Sequence, residues 1–235
     1  MIIAYKNKID NITASSENPS YPIINALNVH LSKYWKSVGN NEWVKISYDS
    51  ATNVDSVFIG GSNVTTNIIL EGNDTDSWSS PSFTTTLIKD DGIQYKTEIG
   101  ESYKYWRLVI NDSTIDVIKI GNIMFDDNHL FANPLYSFNE NRIDTSVIDY
   151  SASGQTYGDI GYIYRVLEMN YPIIDKDEKD LLIDIMETTH KVVPIYVLFN
   201  NDYPPLYCVI AEDIVYTHLK KLNMWTCKMI LREVF

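Results

Sequence analysis

The sequence predicts a mainly β protein: a β-sandwich or jelly roll over residues 1–130, then a small α+β domain over 131–235 with one helix at about 176–189. Three observations predict it. Short segments that alternate apolar and polar residues recur at near-regular spacing before residue 130, separated by polar turns. No amphipathic helical period of useful length interrupts them. After residue 130 a single run, DKDEKDLLIDIMETTH, carries helical spacing, and alternating segments flank it.

The elements follow in order. WVKISYDSATNVDSVFIGG alternates at Val44, Ile46 and Tyr48, is expected to turn through Ser50–Asn53, and resumes at Val57–Ile59. Asn67–Glu71 reads as a strand closed by the turn residues Gly72, Asn73 and Asp74. YKYWRLVIND sets Tyr105, Arg107 and Val109 against Trp106, Leu108 and Ile110, and VIKIGNIMF closes the first domain. Asp126–Ser151 is polar and is expected as a loop, with the domain boundary near residue 130. GYIYRVLEMNYPI is the next strand. Leu181, Leu182, Ile185 and Met186 then recur on one helical face, with Asp175 as N-cap and Glu178 as its capping-box partner. VVPIYVLF, LYCVIAEDI and MWTCKMILREV are expected as three more strands.

Composition narrows the function classes. Hydrophobic residues make up 45% and charged ones 21%, enough for a packed core. The net charge is -12, spread evenly: residues 1–133 hold ten Lys/Arg and sixteen Asp/Glu, and 134–235 hold nine and fifteen. With no basic patch, sequence-specific nucleic-acid binding is not expected. No signal peptide and no apolar run of membrane-spanning length is read, so membrane insertion is not expected either. Cys208 and Cys227 are expected as buried thiols of a chain made in a reducing cytoplasm.

Catalytic constellations are not found. His30, His129, His190 and His218 lack metal spacing, and no nucleophile elbow, P-loop or dinucleotide fingerprint is present. Gly154, Gly158 and Gly161 sit in SASGQTYGDIGY, read as a loop. Asp175, Asp177, Glu178 and Asp180 crowd together but are explained by a helix start. Asp126-Asp127 reads as a lone loop pair. No enzyme and no cofactor is expected.

An ordered set of motifs covers roughly residues 10–126. Ala14–Glu17 is a small-Ser-Ser-Glu segment, Tyr21–Leu27 holds Tyr-Pro and Asn-Ala, and Trp35 stands alone. Trp43–Ile46, Val54–Val57 and Trp106–Val109 follow as strand signatures. This part resembles the discoidin family, a jelly roll with a galactose-binding-like fold. The resemblance implies an irregular stretch in which Tyr21, Ile23, Ile24 and Leu27 plug the sandwich while Trp35 packs under the sheet. It implies loops that bind glycans or lipid head groups; Trp78 and Tyr21 are the candidate glycan contacts, with core-edge packing the alternative for Trp78. Some members hold calcium through an Asp-Gly pair after Asn-Ala; Asn28-Val29 stands there, so the calcium site is not expected.

The second half resembles the distal domain of bacteriophage tail-tip proteins, through YGDIGYIYRVLEMNYPI, the acidic-capped helix, VVPIYVLF, Pro204-Pro205 and the closing LRE strand. That resemblance implies a structural virion protein, a ring-forming tail-tip or baseplate (distal tail) or tail adaptor component made in the bacterial host cytoplasm. Its expected partners are itself, as a cyclic hexamer, and other phage tail proteins. Tyr162, Tyr164, Arg165, Tyr203, Tyr207 and Arg232 are the candidate assembly residues, tyrosine being suited to interfaces. The alternative is a carbohydrate-binding module that decorates the virion and attaches to a host surface glycan.

Overall fold

The computed structural model describes residues 1–132, 138–153, 155–199, 203–220 and 222–234. It is mainly β, as the sequence predicts, and divides into two compact units. The first is Met1–Phe131 with Ile195–Tyr207; the second is Ala132–Pro194 with Cys208–Val234. The sequence places the whole of 131–235 in the rear, but Ile195–Tyr207 packs with the front. Its strand Ile195–Leu198 pairs antiparallel with Ile2–Ala4, Ile3 lying opposite Val197.

The front unit is a two-sheet sandwich. One sheet has five antiparallel strands in the order Asn11–Ala14, Asn41–Val54, Glu101–Asn111, Ile69–Asn73 and Phe83–Thr86. The other has four: Asn122–Asp126, Ser56–Gly60, Ile93–Lys96 and Ile88–Asp90. Alternation decides which face is inward. Val44, Ile46, Trp106, Leu108 and Ile110 point in and meet Val57, Ile59, Ile123 and Phe125 of the facing sheet in one core. Burying these side chains is the main favourable term for the unit. Trp106 is fully buried and lies edge-on to Tyr103 at 5.5 Å and to Phe125 at 6.2 Å between ring centres. Beneath it the sheet needs Gly72, because a Cβ there would collide with the Tyr103 ring.

Ser50–Asn53 does not turn. The strand runs from Asn41 to Val54 and pairs with Glu101–Asn111 on both sides of a register shift between Tyr103 and Tyr105, where residues 48–51 drop out of that ladder. A bulge bends the ladder there without ending it.

The stretch from Ala14 to Trp35 folds as an irregular plug with a single 3-10 turn at Ile23–Leu27. Its polar residues have defined work. Glu17 Oε2 accepts from the Ile23 amide at 2.7 Å, and Ser16 Oγ donates to the buried Glu42 carboxylate at 2.6 Å. Trp35 is fully buried, with its indole N–H on Ser16 O at 3.1 Å. Ile23 and Ala26 are the inward residues; Ile24 is mostly exposed, because a 3-10 turn turns successive side chains through about 120°.

A second polar knot follows the strand Glu101–Asn111. Asp112, fully buried, accepts from the Thr65 amide and hydroxyl at 2.5 and 2.8 Å. It also takes the Thr114 amide and hydroxyl at 3.0 and 2.6 Å. Burial pushes this carboxyl up, but the hydrogen bonds from Thr114 and Thr65 outweigh it and hold it well below the usual carboxylate range.

In the rear unit Phe138–Asp144, Ile163–Ile174 and Met224–Glu233 form adjacent antiparallel strands, with Tyr216–Leu219 pairing onto Met224–Glu233. Cys227, Met229 and Leu231 are buried and Lys228 and Arg232 exposed, as alternation requires, but Ile230, on the face of Lys228 and Arg232, is buried as well. The helix is Lys176–Thr189, and its capping box is present in both directions. Leu182, Ile185 and Thr189 are its buried residues, and His190 ends it in the left-handed region at φ 49°. Asp126–Ser151 is not a loop throughout: it contains the strands Phe138–Asp144 and Val147–Tyr150. Both strands are exposed almost throughout, so no alternation of buried and exposed positions marks them in the sequence. Val147–Tyr150 pairs with Thr156–Asp159 in a hairpin, so part of the SASGQTYGDIGY segment is also strand. Gly158 permits it, since a Cβ there would collide with Val147 O; Gly154 is outside the described residues.

Candidate functional site

The outer face of the five-stranded sheet carries a cluster of half-buried aromatic and charged side chains. Register builds it. Arg107 lies opposite Lys45 on one side and Glu71 on the other, so all three point outward together. Val109 lies opposite Trp43, one step along the same face. Arg107 pairs with Glu71 at 2.6 Å. Lys45 pairs with Asp76 at 2.6 Å, and Asp76 stands on the loop after the strand Ile69–Asn73.

That loop brings in Trp78. Its ring lies 4.5 Å from the Arg107 guanidinium carbon, and its indole N–H donates to Asp76 Oδ1 at 2.9 Å. Lys45 also sits over the Trp43 ring at 5.9 Å. The hydrogen bond from Lys45, and then that from Trp78, hold the Asp76 carboxyl below its ordinary value. The result is two half-buried indoles fixed among two cation–carboxylate pairs. A planar apolar ring with polar groups at its rim is suited to an apolar sugar face and its hydroxyls.

Tyr21, the other glycan candidate, is elsewhere: it stacks on Tyr34 at 4.8 Å beside the 3-10 turn. The sequence singles out Trp78 but neither Trp43 nor Lys45 and Arg107. The signal for those three is their parity: they occupy the outward positions of strands whose inward positions are apolar.

The assembly candidates divide. Tyr162 is exposed and tilts against Tyr164 at 5.9 Å. Arg232 is exposed. Arg165, by contrast, is engaged within the rear unit: Nε reaches Glu233 Oε2 at 3.0 Å and its amide reaches the same oxygen at 3.0 Å. Tyr207 is likewise internal, because its phenol is buried and donates to Val29 O at 2.6 Å. Tyr203 is half-buried, edge-on to Phe199 at 5.4 Å.

Around Asn28-Val29 the polar groups bond to one another. Asn28 O accepts from Asn122 Nδ2 at 3.0 Å, Asn122 Oδ1 accepts from Tyr196 Oη at 3.0 Å, and Val29 O takes the Tyr207 phenol. Those oxygens accept from amide and phenol donors. Asp175 and Glu178 are spent on the capping box, and Asp180 pairs with Lys176 at 2.6 Å. Asp126 differs from its reading as a loop residue: it ends the strand Asn122–Asp126 and is fully buried. In the rear unit an open groove of about 570 Å³ is lined by Tyr171, Thr217 and Cys227 among others. Both cysteines are free and buried, and burial pushes the Cys227 thiol up to about 12, so it is held as the neutral thiol.

No family model matches the chain, and no curated protein matches it. Solved structures do. A mutant of chitosan-binding module 1, derived from a chitosanase/glucanase of Paenibacillus sp. IK-5, is similar at 18% identity, over 54% of this chain and 99% of that one, with a TM-score of 0.42. The family 32 module of C. perfringens NanJ, in complex with galactose, is similar at 12% identity, over 53% and 98%, with a TM-score of 0.43. The lectin domain of Lectinolysin, complexed with Lewis B antigen, is similar at 9% identity, over 52% and 95%, again with a TM-score of 0.43. At these scores the likenesses carry no part of the fold assignment, which rests on the strand order and the two-sheet core.

Proposed function

We propose that the front unit is a carbohydrate-binding module whose working surface is the outer sheet face at Trp43 and Trp78. The observation that supports the reading is the fixed indole of Trp78, held by Asp76 and laid against Arg107. An aromatic ring immobilised before the ligand arrives spares the ordering cost of binding. Because Lys45 and Arg107 are already neutralised by Asp76 and Glu71, the face suits a neutral glycan better than an acidic one. Sugar binding is named for several of the similar solved structures; the reading here stands on the face itself.

The test is a glycan array followed by calorimetry on the best neutral ligand. Trp78→Ala is expected to weaken binding by about 30-fold or more, the ~2 kcal/mol of an aromatic hot spot. Its thermal midpoint should barely move, since the ring is not in the core. Undiminished binding by Trp78→Ala, or no glycan bound by the wild type, sinks the reading.

A second reading is favoured by a different observation in the rear unit. The segment 147–163 exposes Val147, Ile148, Tyr150, Tyr157, Tyr162 and Ile163, with Ile160 97% exposed. Exposed apolar side chains concentrated in one short segment are the kind of surface that marks a contact with another protein. We infer that a second copy of the chain covers it, in a ring-forming structural component of a phage tail, with the front unit presented to a host glycan. Sedimentation velocity checks this: the wild type should associate, and Tyr157→Ser with Ile160→Ser should return it to a monomer. A wild type that stays monomeric at high concentration rules the reading out.

A further inference from the structure

The end of the last sandwich strand gathers three metal-type donors that neither reading above employs. Asp126, Asp127 and His129 each place one ligand atom within 4.8 Å of the other two. Asp126 is fully buried. Its Oδ2 accepts from the Tyr5 and Lys6 amides at 2.7 and 2.8 Å, and its Oδ1 accepts from the Asp127 amide at 2.8 Å. Oδ1 also faces His129 Nε2 at 3.4 Å, too far for a good hydrogen bond. Asp127 pairs with Lys8, whose ammonium also donates to Asn53 O at 3.1 Å.

Two atoms here are in an unusual position. His129 Nε2 is closed off from solvent and has no hydrogen-bond partner. The adjacent Asn128 Oδ1 is in the same state. A buried polar atom left unpaired costs free energy, so each such atom asks for an explanation. His129 Nε2 lies in a cluster with two carboxylates, and a Lewis acid held among the three would satisfy it.

We propose that Asp126, Asp127 and His129 hold a divalent transition cation of the zinc type. The donor set decides the class. An imidazole nitrogen with two carboxylates suits zinc and its neighbours, whereas calcium takes oxygen ligands alone. Charge agrees: two carboxylates and one lysine leave a residual negative charge for the cation to meet. The Lys8 ammonium competes for Asp127, so it limits affinity in the native chain. The ligands also bracket the N-terminal strand, since His129 lies opposite Ile3 in the ladder and Asp126 holds the next two backbone amides. Metal binding therefore tightens the attachment of residues 2–6 to the sandwich.

The experiment uses the full chain stripped with EDTA and titrated with zinc chloride, with cobalt as a spectroscopic probe. One zinc per chain is expected to survive desalting and to raise the thermal midpoint. Cobalt should give visible absorption that zinc abolishes. His129→Ala and Asp127→Asn should each weaken binding by at least ~10-fold. Lys8→Met should strengthen it. Asp127 is partly exposed, so Asp127→Asn serves as the folded variant should His129→Ala fail to fold. No saturable zinc in the wild type, undiminished binding in Asp127→Asn, or displacement of zinc by equimolar calcium each overturns the proposal.

Discussion

Trp106→Ala is expected to lower the stability of the front unit by about 3–5 kcal/mol, the range for deleting a large core aromatic. The side chain is fully buried and is ringed by Phe83, Tyr103 and Phe125 at centroid distances from 5.5 to 6.2 Å. The two sheets meet around it, so the cavity has backbone on two sides and collapses poorly. Trp106→Phe separates size from polarity. The Trp106 indole N–H is buried without a partner, so phenylalanine removes an unsatisfied donor along with some volume. Its expected cost is therefore well under half that of alanine. Denaturant unfolding of the three proteins, with comparable slopes, measures both differences. Equal losses for the two variants would show that the donor has a partner in solution.

Asp112→Asn is expected to cost about 3 kcal/mol, although it changes a single atom type. The carboxylate accepts from two amides and two hydroxyls of Thr65 and Thr114, and an amide group turns half of that acceptor into a competing donor. The pH dependence follows from the sign of the shift. The folded carboxyl is held below its ordinary value, so the unfolded chain binds a proton first as the solution is acidified. Its stabilisation is present above about pH 4, the ordinary aspartate value, and is lost as pH falls from there toward the depressed folded value. Thermal melts from pH 7 to pH 2 should show a steeper acid decline in the wild type than in Asp112→Asn. Parallel curves would mean that other carboxylates set the acid limit.

Strands with one wet and one dry face are legible by alternation, and those buried on both faces, such as Ser56–Gly60 and Leu206–Ile210, are legible as short apolar runs. Val44, Ile46 and Tyr48, or Cys227, Met229 and Leu231, alternate because the pleat sends neighbours to opposite sides. The helix was legible to the residue because its capping box is a local device. The hairpin at 147–159 was not, because both of its faces are exposed and nothing imposes a period of two. The continuation of Asn41–Val54 through Ser50 was hidden by turn-type residues that a register shift absorbs. Of the candidate face, Trp78 was visible as an isolated indole in a polar loop. Its partners were not, since the Arg107–Lys45 neighbourhood exists only once strands distant in the chain are paired. The internal roles of Tyr207 and Arg165 were invisible for the same reason.

The return of Ile195–Tyr207 to the front unit bears on how this half of the protein can be moved about. Tyr196 stacks on Phe58 at 4.9 Å and supplies the hydroxyl for Asn122, and Tyr207 supplies the one for Val29. A gene fragment stopped at residue 131 encodes a sandwich without the Tyr196 and Tyr207 phenols. The portable cassette, for grafting onto another scaffold or for shuffling between genomes, is therefore a discontinuous piece that needs both stretches of chain.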